Sequence, residues 1–381
     1  MSDLVVLSHL RWVFVWQRPQ HVISRLASRA RRTWFVEEPL AADVSEPTLR
    51  TEDHGSVTRV WLEVPGRHVD FAADDERHID FTADEAWVYG TELRRFLGAT
   101  RERTVWLYTP SAYDLARVIG YDLLVYDVMD DLASFKNAPE GLRGAQRAAL
   151  SAADVVFAGG RSLHRSVRAQ RPDAHLLPSG VEPEHYVVDR QARPADWRPV
   201  AGYVGVIDER IDLDLVAALA SSLPNWEIRM VGPVVKIDPV VLPQAPNITY
   251  PGPQRYEDLP EVMGGFDVAL MPFALNQATR SISPTKTLEY LAADLPVVST
   301  WVPDVVADYG TVVQLAANGF EFACACRDGL RSDPDERRRA VEPLLRRHHW
   351  DAIVGRMAAL IDHASAAQRR QVVPLPAERA G

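Results

Sequence analysis

Residues 266–300 read FDVALMPFALNQATRSISPTKTLEYLAADLPVVST, in the order strand, loop, helix, strand. Residues 267–273 are an apolar run of strand length, and a second run opens at 296–299. Between them Leu288, Leu291, Ala292 and Leu295 recur at helical spacing, a stripe that packs on a sheet. Ser283 and Pro284 start the helix, a hydroxyl at the N-cap and then a proline where no amide donor is needed. Lys286 is the odd residue. A cation in the first turn opposes the helix dipole, whose free amides attract negative charge. With Arg280, Ser281, Ser283 and Thr285 alongside, a bound anion such as a phosphate repairs the mismatch. Glu289, three residues on, shares the face of Lys286 and is placed to accept hydrogen bonds from sugar hydroxyls. The plainer alternative is a capped helix between two strands, with Lys286 and Glu289 as a weak surface pair.

The same stretch resembles the donor-binding helix of retaining GT-B glycosyltransferases of the family-4 type. In that family a glutamate on this helix holds the nucleotide ribose, and the matching position is Glu289. The family motif has two glutamates separated by seven residues; the earlier position is Ser281, so one of the two is absent. The run SPTKTLEYLA is closer to a bacterial surface-polysaccharide, teichuronic-acid-type subgroup than to the standard motif.

A chain of 381 residues has room for two domains of ordinary size. Its apolar fraction of 47% and charged fraction of 25% are those of a soluble globular protein. No apolar run is long enough to cross a bilayer, and the opening MSDLVVLSHLRW reads as a strand with no signal peptide. Cys324 and Cys326 lack the further ligands that a metal or redox site needs, and read as buried reduced thiols of a cytoplasmic protein. A net charge of −10 argues against nucleic acid as a partner. Arg18, Arg25, Arg29, Arg31 and Arg32 nevertheless crowd one early segment. That basic amphipathic segment fits the solvated outer face of an ordinary helix, and as the alternative peripheral contact with an anionic membrane, on the inner face of the cell membrane.

The first half alternates strand and helix, with a loop after the first strand holding His9, Arg11, Trp12, Gln17, Arg18, Gln20 and His21. Polar groups mixed with tryptophans suit a carbohydrate, and ligands of doubly wound sheets sit beyond strand C-termini. The alternative is a surface loop whose tryptophans lid the core. Residues 66–84 read as an irregular connection. The strand LLVYDVMDD ends in Asp127, Asp130 and Asp131, with Lys136 beyond; such acids bind hydroxyls, act as a base, or cap the next helix. Asp130 is the preferred functional acid.

HLLPSGVEP resembles the interdomain crossing of GT-B enzymes, and the alternation then begins again. Gly205, at the end of the next strand, allows close approach of a ligand, and Arg210 closes the same loop. By position Arg210 matches the basic residue that holds the donor diphosphate in the family. Pro253 and Gln254 lie in a turn resembling the family's base-binding loop, though an ordinary strand-to-helix turn explains the glycine equally well. Near the C-terminus Trp350, Ile353, Met357, Leu360 and Ile361 form an apolar stripe.

The expected fold is α/β, with two Rossmann-like domains facing a cleft. The expected boundaries are residues 1–182 for the acceptor domain and 183–345 for the donor domain. Residues 346–367 form a helix that in GT-B proteins returns to the first domain, and 368–381 a disordered tail. The resemblance implies a metal-independent, retaining hexosyltransferase with no cofactor, using a nucleotide-diphosphate sugar, UDP-linked by preference. Its acceptor is a glycan, a lipid-linked sugar or a small molecule. Arg210, Lys286 and Asp130 are the expected catalytic groups. Gly205, Pro253, Gln254, Ser281, Ser283, Pro284, Thr285 and Glu289 are expected at the donor; His9, Arg11, Trp12, Arg18, Gln20 and His21 at the acceptor. Two rivals share the design: a nucleotide-sugar 2-epimerase and a non-enzymatic nucleotide-sugar-binding protein. A dehydrogenase fails, since no GxGxxG follows either domain's first strand.

Overall fold

The computed structural model describes residues 2–27, 31–66, 83–134, 140–187, 197–276, 279–280, 282 and 285–372. The first strand, β1 (Ser2–Ser8), has Leu4 to Leu7 sealed from solvent on both faces, the mark of a central parallel strand. Around it lie β2 (Arg32–Glu37), β3 (Leu40–Ala42), β4 (Thr48–His54), β5 (Val57–Pro65), β6 (Glu102–Leu107), β7 (Leu123–Val128), β8 (Val155–Ala158) and β9 (His175–Leu176). Their order is β3-β5-β2-β1-β6-β7-β8-β9, parallel throughout except for β4, which runs antiparallel on β5. The second sheet comprises β10 (Val200–Val204), β11 (Glu227–Val231), β12 (Ile248–Gly252), β13 (Val268–Met271), β14 (Val297–Ser299) and β15 (Gln314–Leu315). It is wholly parallel in the order β12-β11-β10-β13-β14-β15. In each sheet the first strand lies where the order reverses, so the loops after β1 and β10 stand at the switch points where ligands of doubly wound sheets bind.

The terminal helix, Trp350–Val372, belongs to the first sheet's core. Its Trp350, Ile353, Met357 and Ile361 pack with Leu4, Val6, Val22 and Leu26. The chain therefore crosses between the halves twice, and the crossings are hydrogen-bonded to each other. Val181 N–H donates to His348 O at 2.9 Å, and Trp350 N–H to Val181 O at 3.1 Å. Gly180 is needed at this seam: a Cβ there would lie 2.6 Å from His348 O.

Three sequence expectations differ. Strand β4 is not signalled, because its residues are nearly all polar; ion pairs across the hairpin, Arg50–Glu63 at 2.9 Å and Arg59–Glu52 at 2.8 Å, replace the apolar alternation. The terminal helix runs on to Val372, into the stretch read as tail. Cys324 is half-buried, whereas burial pushes the Cys326 thiol up to about 12, which keeps it protonated. Most of the connection at 66–84, together with Arg29, Lys136 and residues 373–381, lies outside the described residues.

Candidate active site

The loops after β10 and β13 are tied together before any ligand is considered. Ala274 N–H donates to Arg210 O at 2.8 Å, Asp212 N–H to Pro272 O at 2.8 Å, and Asn276 Nδ2 to Glu209 O at 3.2 Å. Gly205 ends β10 with φ +154°. A Cβ there would lie 2.6 Å from Tyr203 Oη and 3.5 Å from Lys286 Cε, so the glycine lets this loop lie against the lysine stem. Arg210 is gripped by Asp208, a residue not singled out from the sequence. Nε lies 2.9 Å from both carboxylate oxygens, and Nη2 is 2.6 Å from Oδ2. Burial alone would favour a neutral guanidine; the Asp208 carboxylate overrides it and raises the pKa.

The helix Thr285–Ala292 is pinned over the end of β10 by Tyr290, whose buried hydroxyl accepts from Val204 N–H at 2.7 Å and donates to Val204 O at 3.2 Å. On the same helix Lys286 Nζ meets Glu289 Oε2 at 2.9 Å. The pair does form, but largely out of solvent rather than on an open surface. Thr285 and Glu289 line a narrow cleft between the two halves. Ser281, Ser283 and Pro284 lie outside the described residues. Pro253 and Gln254 are exposed beyond β12; Tyr256, two residues on, is the side chain that reaches the cleft.

The facing wall comes from the loop after β1 and the helix Arg18–Ala27. Arg18 is 2% exposed; its Nε and Nη2 donate to the two oxygens of the fully buried Asp127, each at 2.9 Å. Its Nη1 is buried with no hydrogen-bond partner among the described residues. The charge of Asp130, two residues beyond β7, favours the charged forms of both Arg18 and Arg210. His21 lies flat on Trp350 with centroids 4.9 Å apart and its Nδ1 accepts from Trp16 Nε1 at 3.3 Å. Burial first, then the cation Arg25, lowers its pKa to about 3, so the ring is neutral although Glu182 stands 3.5 Å away. That carboxylate is already engaged by Arg25. Trp16 stacks on Tyr256 across the cleft at 5.7 Å.

Other residues expected at the acceptor have internal work. Arg11 binds Glu37 and the Glu38 carbonyl, Trp12 sits in the core against Phe35, and fully buried Gln20 holds the backbone of Arg11, Trp12 and Gln17. His9 is half-buried at the end of β1. The arginines that would meet a membrane are paired instead: Arg25 with Glu182 and Asp351, Arg31 with Asp362, Arg32 with Asp3. Clustered in sequence, they are dispersed in space onto carboxylates of distant segments.

Residues 198–331 match the family model for glycosyl transferases group 1. This segment is a group 1 glycosyltransferase domain. It contains Gly205, Asp208, Arg210, Lys286 and Glu289, so the converging loops are the domain's own. The putative teichuronic acid biosynthesis glycosyltransferase TuaH of Bacillus subtilis is 25% identical over 256 residues, 61% of this chain. The match spans 64% of that relative's length, a little under two thirds. Among solved structures, sucrose-phosphate synthase from Thermosynechococcus elongatus superposes with TM-score 0.69 at 15% identity, covering 96% of this chain and all of its own. The α,α-trehalose 6-phosphate synthase of Burkholderia multivorans gives 0.67 at 15% identity, covering 99% of this chain and 100% of that one. An E. coli trehalose-6-phosphate protein bound with UDP-2-fluoro glucose gives 0.60 at 14% identity, over 98% of this chain and 100% of its own. The fold is GT-B, with the terminal helix returned to the first domain.

Proposed function

We propose that this protein transfers a sugar from a nucleoside-diphosphate sugar to a hydroxyl of a glycan, lipid-linked or small-molecule acceptor, with retention at the anomeric carbon. The observation that carries the reading is the convergence of Gly205, Arg210, Lys286 and Glu289 at one edge of the group 1 domain. Arg210 and Lys286 supply positive charge to a diphosphate leaving group as the glycosidic bond breaks, and amides at the start of helix Thr285–Ala292 add to it. Glu289 exchanges Lys286 for the ribose hydroxyls, which releases the lysine to the phosphates. The acceptor enters along the wall of His9, Arg18, His21 and Asp130. The likeness to a structure solved with UDP-2-fluoro glucose favours a UDP-sugar, and the TuaH match favours a surface polysaccharide as the product.

Mass spectrometry of the protein incubated with UDP-, GDP- and ADP-sugars and a panel of acceptors tests this. A glycosylated acceptor with release of nucleoside diphosphate is expected. Binding without transfer or donor hydrolysis would leave a nucleotide-sugar-binding protein, and an epimerised donor would make it an epimerase.

A further inference from the structure

The Arg18 guanidinium is buried, held on two of its three nitrogens, and without a hydrogen-bond partner on the third among the described residues. It lines the cleft with Trp16 and His21 from its own wall and with Tyr256, Thr285 and Glu289 from the other. A charged donor left unsatisfied and out of water costs its full desolvation, so a ligand oxygen is the natural partner. The charge balance says which kind. Asp127 already neutralises Arg18 and is too deeply buried to let go, and Asp130 adds a second carboxylate to its surroundings. Arg25 and Lys286 act on His21 in the same cleft, but the charged groups acting on Arg18 itself are these two carboxylates, so an anionic group at Nη1 gains little. A hydroxyl accepts from Nη1 and keeps its own proton to donate to a carboxylate.

We propose that Arg18 Nη1 reads an uncharged sugar hydroxyl in the cleft, making this arginine a specificity-determining contact selective against an anion at that point. The inference rests on the glycosyl-transfer reading for the identity of the ligand as a sugar. The hydroxyl belongs either to the donor's sugar or to the acceptor, and the arms of the experiment separate the two.

The full-length protein is titrated with UDP, UDP-glucose, glucose and glucose 6-phosphate, by calorimetry or ligand-observed NMR. Two variants are compared with wild type: Arg18→Lys, and the double change Arg18→Met with Asp127→Leu. Replacing both members of a buried ion pair by apolar side chains is often neutral for stability, so the double variant retains its fold where Arg18→Ala would strand Asp127. Melting curves check this. The expected result is a loss of about tenfold or more in affinity for UDP-glucose or for glucose in both variants, with UDP unchanged. Loss on UDP-glucose alone assigns the hydroxyl to the donor sugar; loss on glucose assigns it to the acceptor; either supports the proposal. Unchanged affinities in folded variants would overturn it, as would glucose 6-phosphate losing more than glucose, or a wild type that binds neither sugar. UDP binding to wild type reports on the donor site separately: its absence counts against the glycosyl-transfer reading, while the glucose arm still reads Arg18.

Discussion

Arg210, in the loop after β10, and Lys286, in the first turn of the helix Thr285–Ala292, are each held by a carboxylate, Asp208 and Glu289. If they stabilise charge developing on one leaving group, their loss should slow turnover more than it weakens donor binding. Removing one such contact typically costs on the order of a hundredfold to a thousandfold in rate. In a kinetic double-mutant cycle with Arg210→Ala and Lys286→Ala the losses should be strongly non-additive, since both serve one transition-state charge. Additive effects confined to KM would make them binding contacts only. His21 yields a pH prediction. Its folded pKa is about 3, against roughly 6.5 unfolded. The unfolded chain therefore binds the extra proton in this window, and the contribution of the neutral ring, complete above about pH 6.5, is lost as pH falls toward 3. His21→Phe should flatten the stability profile there by on the order of 1 kcal/mol per pH unit, read from urea unfolding. An unaltered slope would mean that His21 titrates as it does in the unfolded chain. Lys286 and Glu289 stand out in the sequence because the first turn of a helix is a local feature, and Arg210 through its match in position to the family's loop. Asp208 is not, since an acid two residues before an arginine has no distinctive spacing.

The helix Thr285–Ala292 has its register set by Tyr290, whose hydroxyl serves both polar groups of Val204. Tyr290→Phe leaves a buried amide and carbonyl without that partner, and should cost about 1–3 kcal/mol of stability by denaturant titration. Donor KM should rise as well, because Lys286 and Glu289 ride on the same two turns. A variant as stable as wild type would show that packing alone seats the helix. The apolar stripe of this helix is readable at 3.6-residue spacing. The polar anchor is not, because Tyr290 falls outside that stripe and a tyrosine carries no mark of the backbone groups it will meet. Strand β4 escapes for the opposite reason: its cross-strand ion pairs appear only once the hairpin exists.

Across the whole molecule the two domains also meet through Asp304 and Asp308 of the second, which hold the first turn of the helix Arg161–Arg168. Asp304, 2% exposed, accepts from Ser162 N at 3.1 Å and Ser162 Oγ at 2.6 Å, and Asp308 pairs with Arg161. A carboxylate at a helix N-terminus is well matched to the dipole, so this contact favours the arrangement in which the two domains touch here. Asp304→Ala should weaken this contact by roughly 1.5–3 kcal/mol and raise the radius of gyration in small-angle scattering. An identical scattering curve would mean that the paired crossings at Val181 and His348 hold the domains by themselves.

Runs of apolar residues, helix stripes and the repeated strand–helix alternation are local patterns, and by themselves they determine two doubly wound sheets and where each sheet's ligand-facing loops fall. They also fix the positions of Gly205, Lys286 and Glu289 at a strand end and in a first helical turn, whereas Arg210 is picked out by resemblance. Which charge meets which is a different matter. Arg18 and Asp127 lie 109 residues apart, and Ser162 and Asp304 142 apart. His21 is made neutral by Trp350 and Trp16 closing over it and by Arg25 beside it. No spacing rule encodes such pairings, because they arise only when two sheets and a returning helix exclude water from the same few ångströms. Burial then sets the cost of an unpaired charge, and that cost selects the partners.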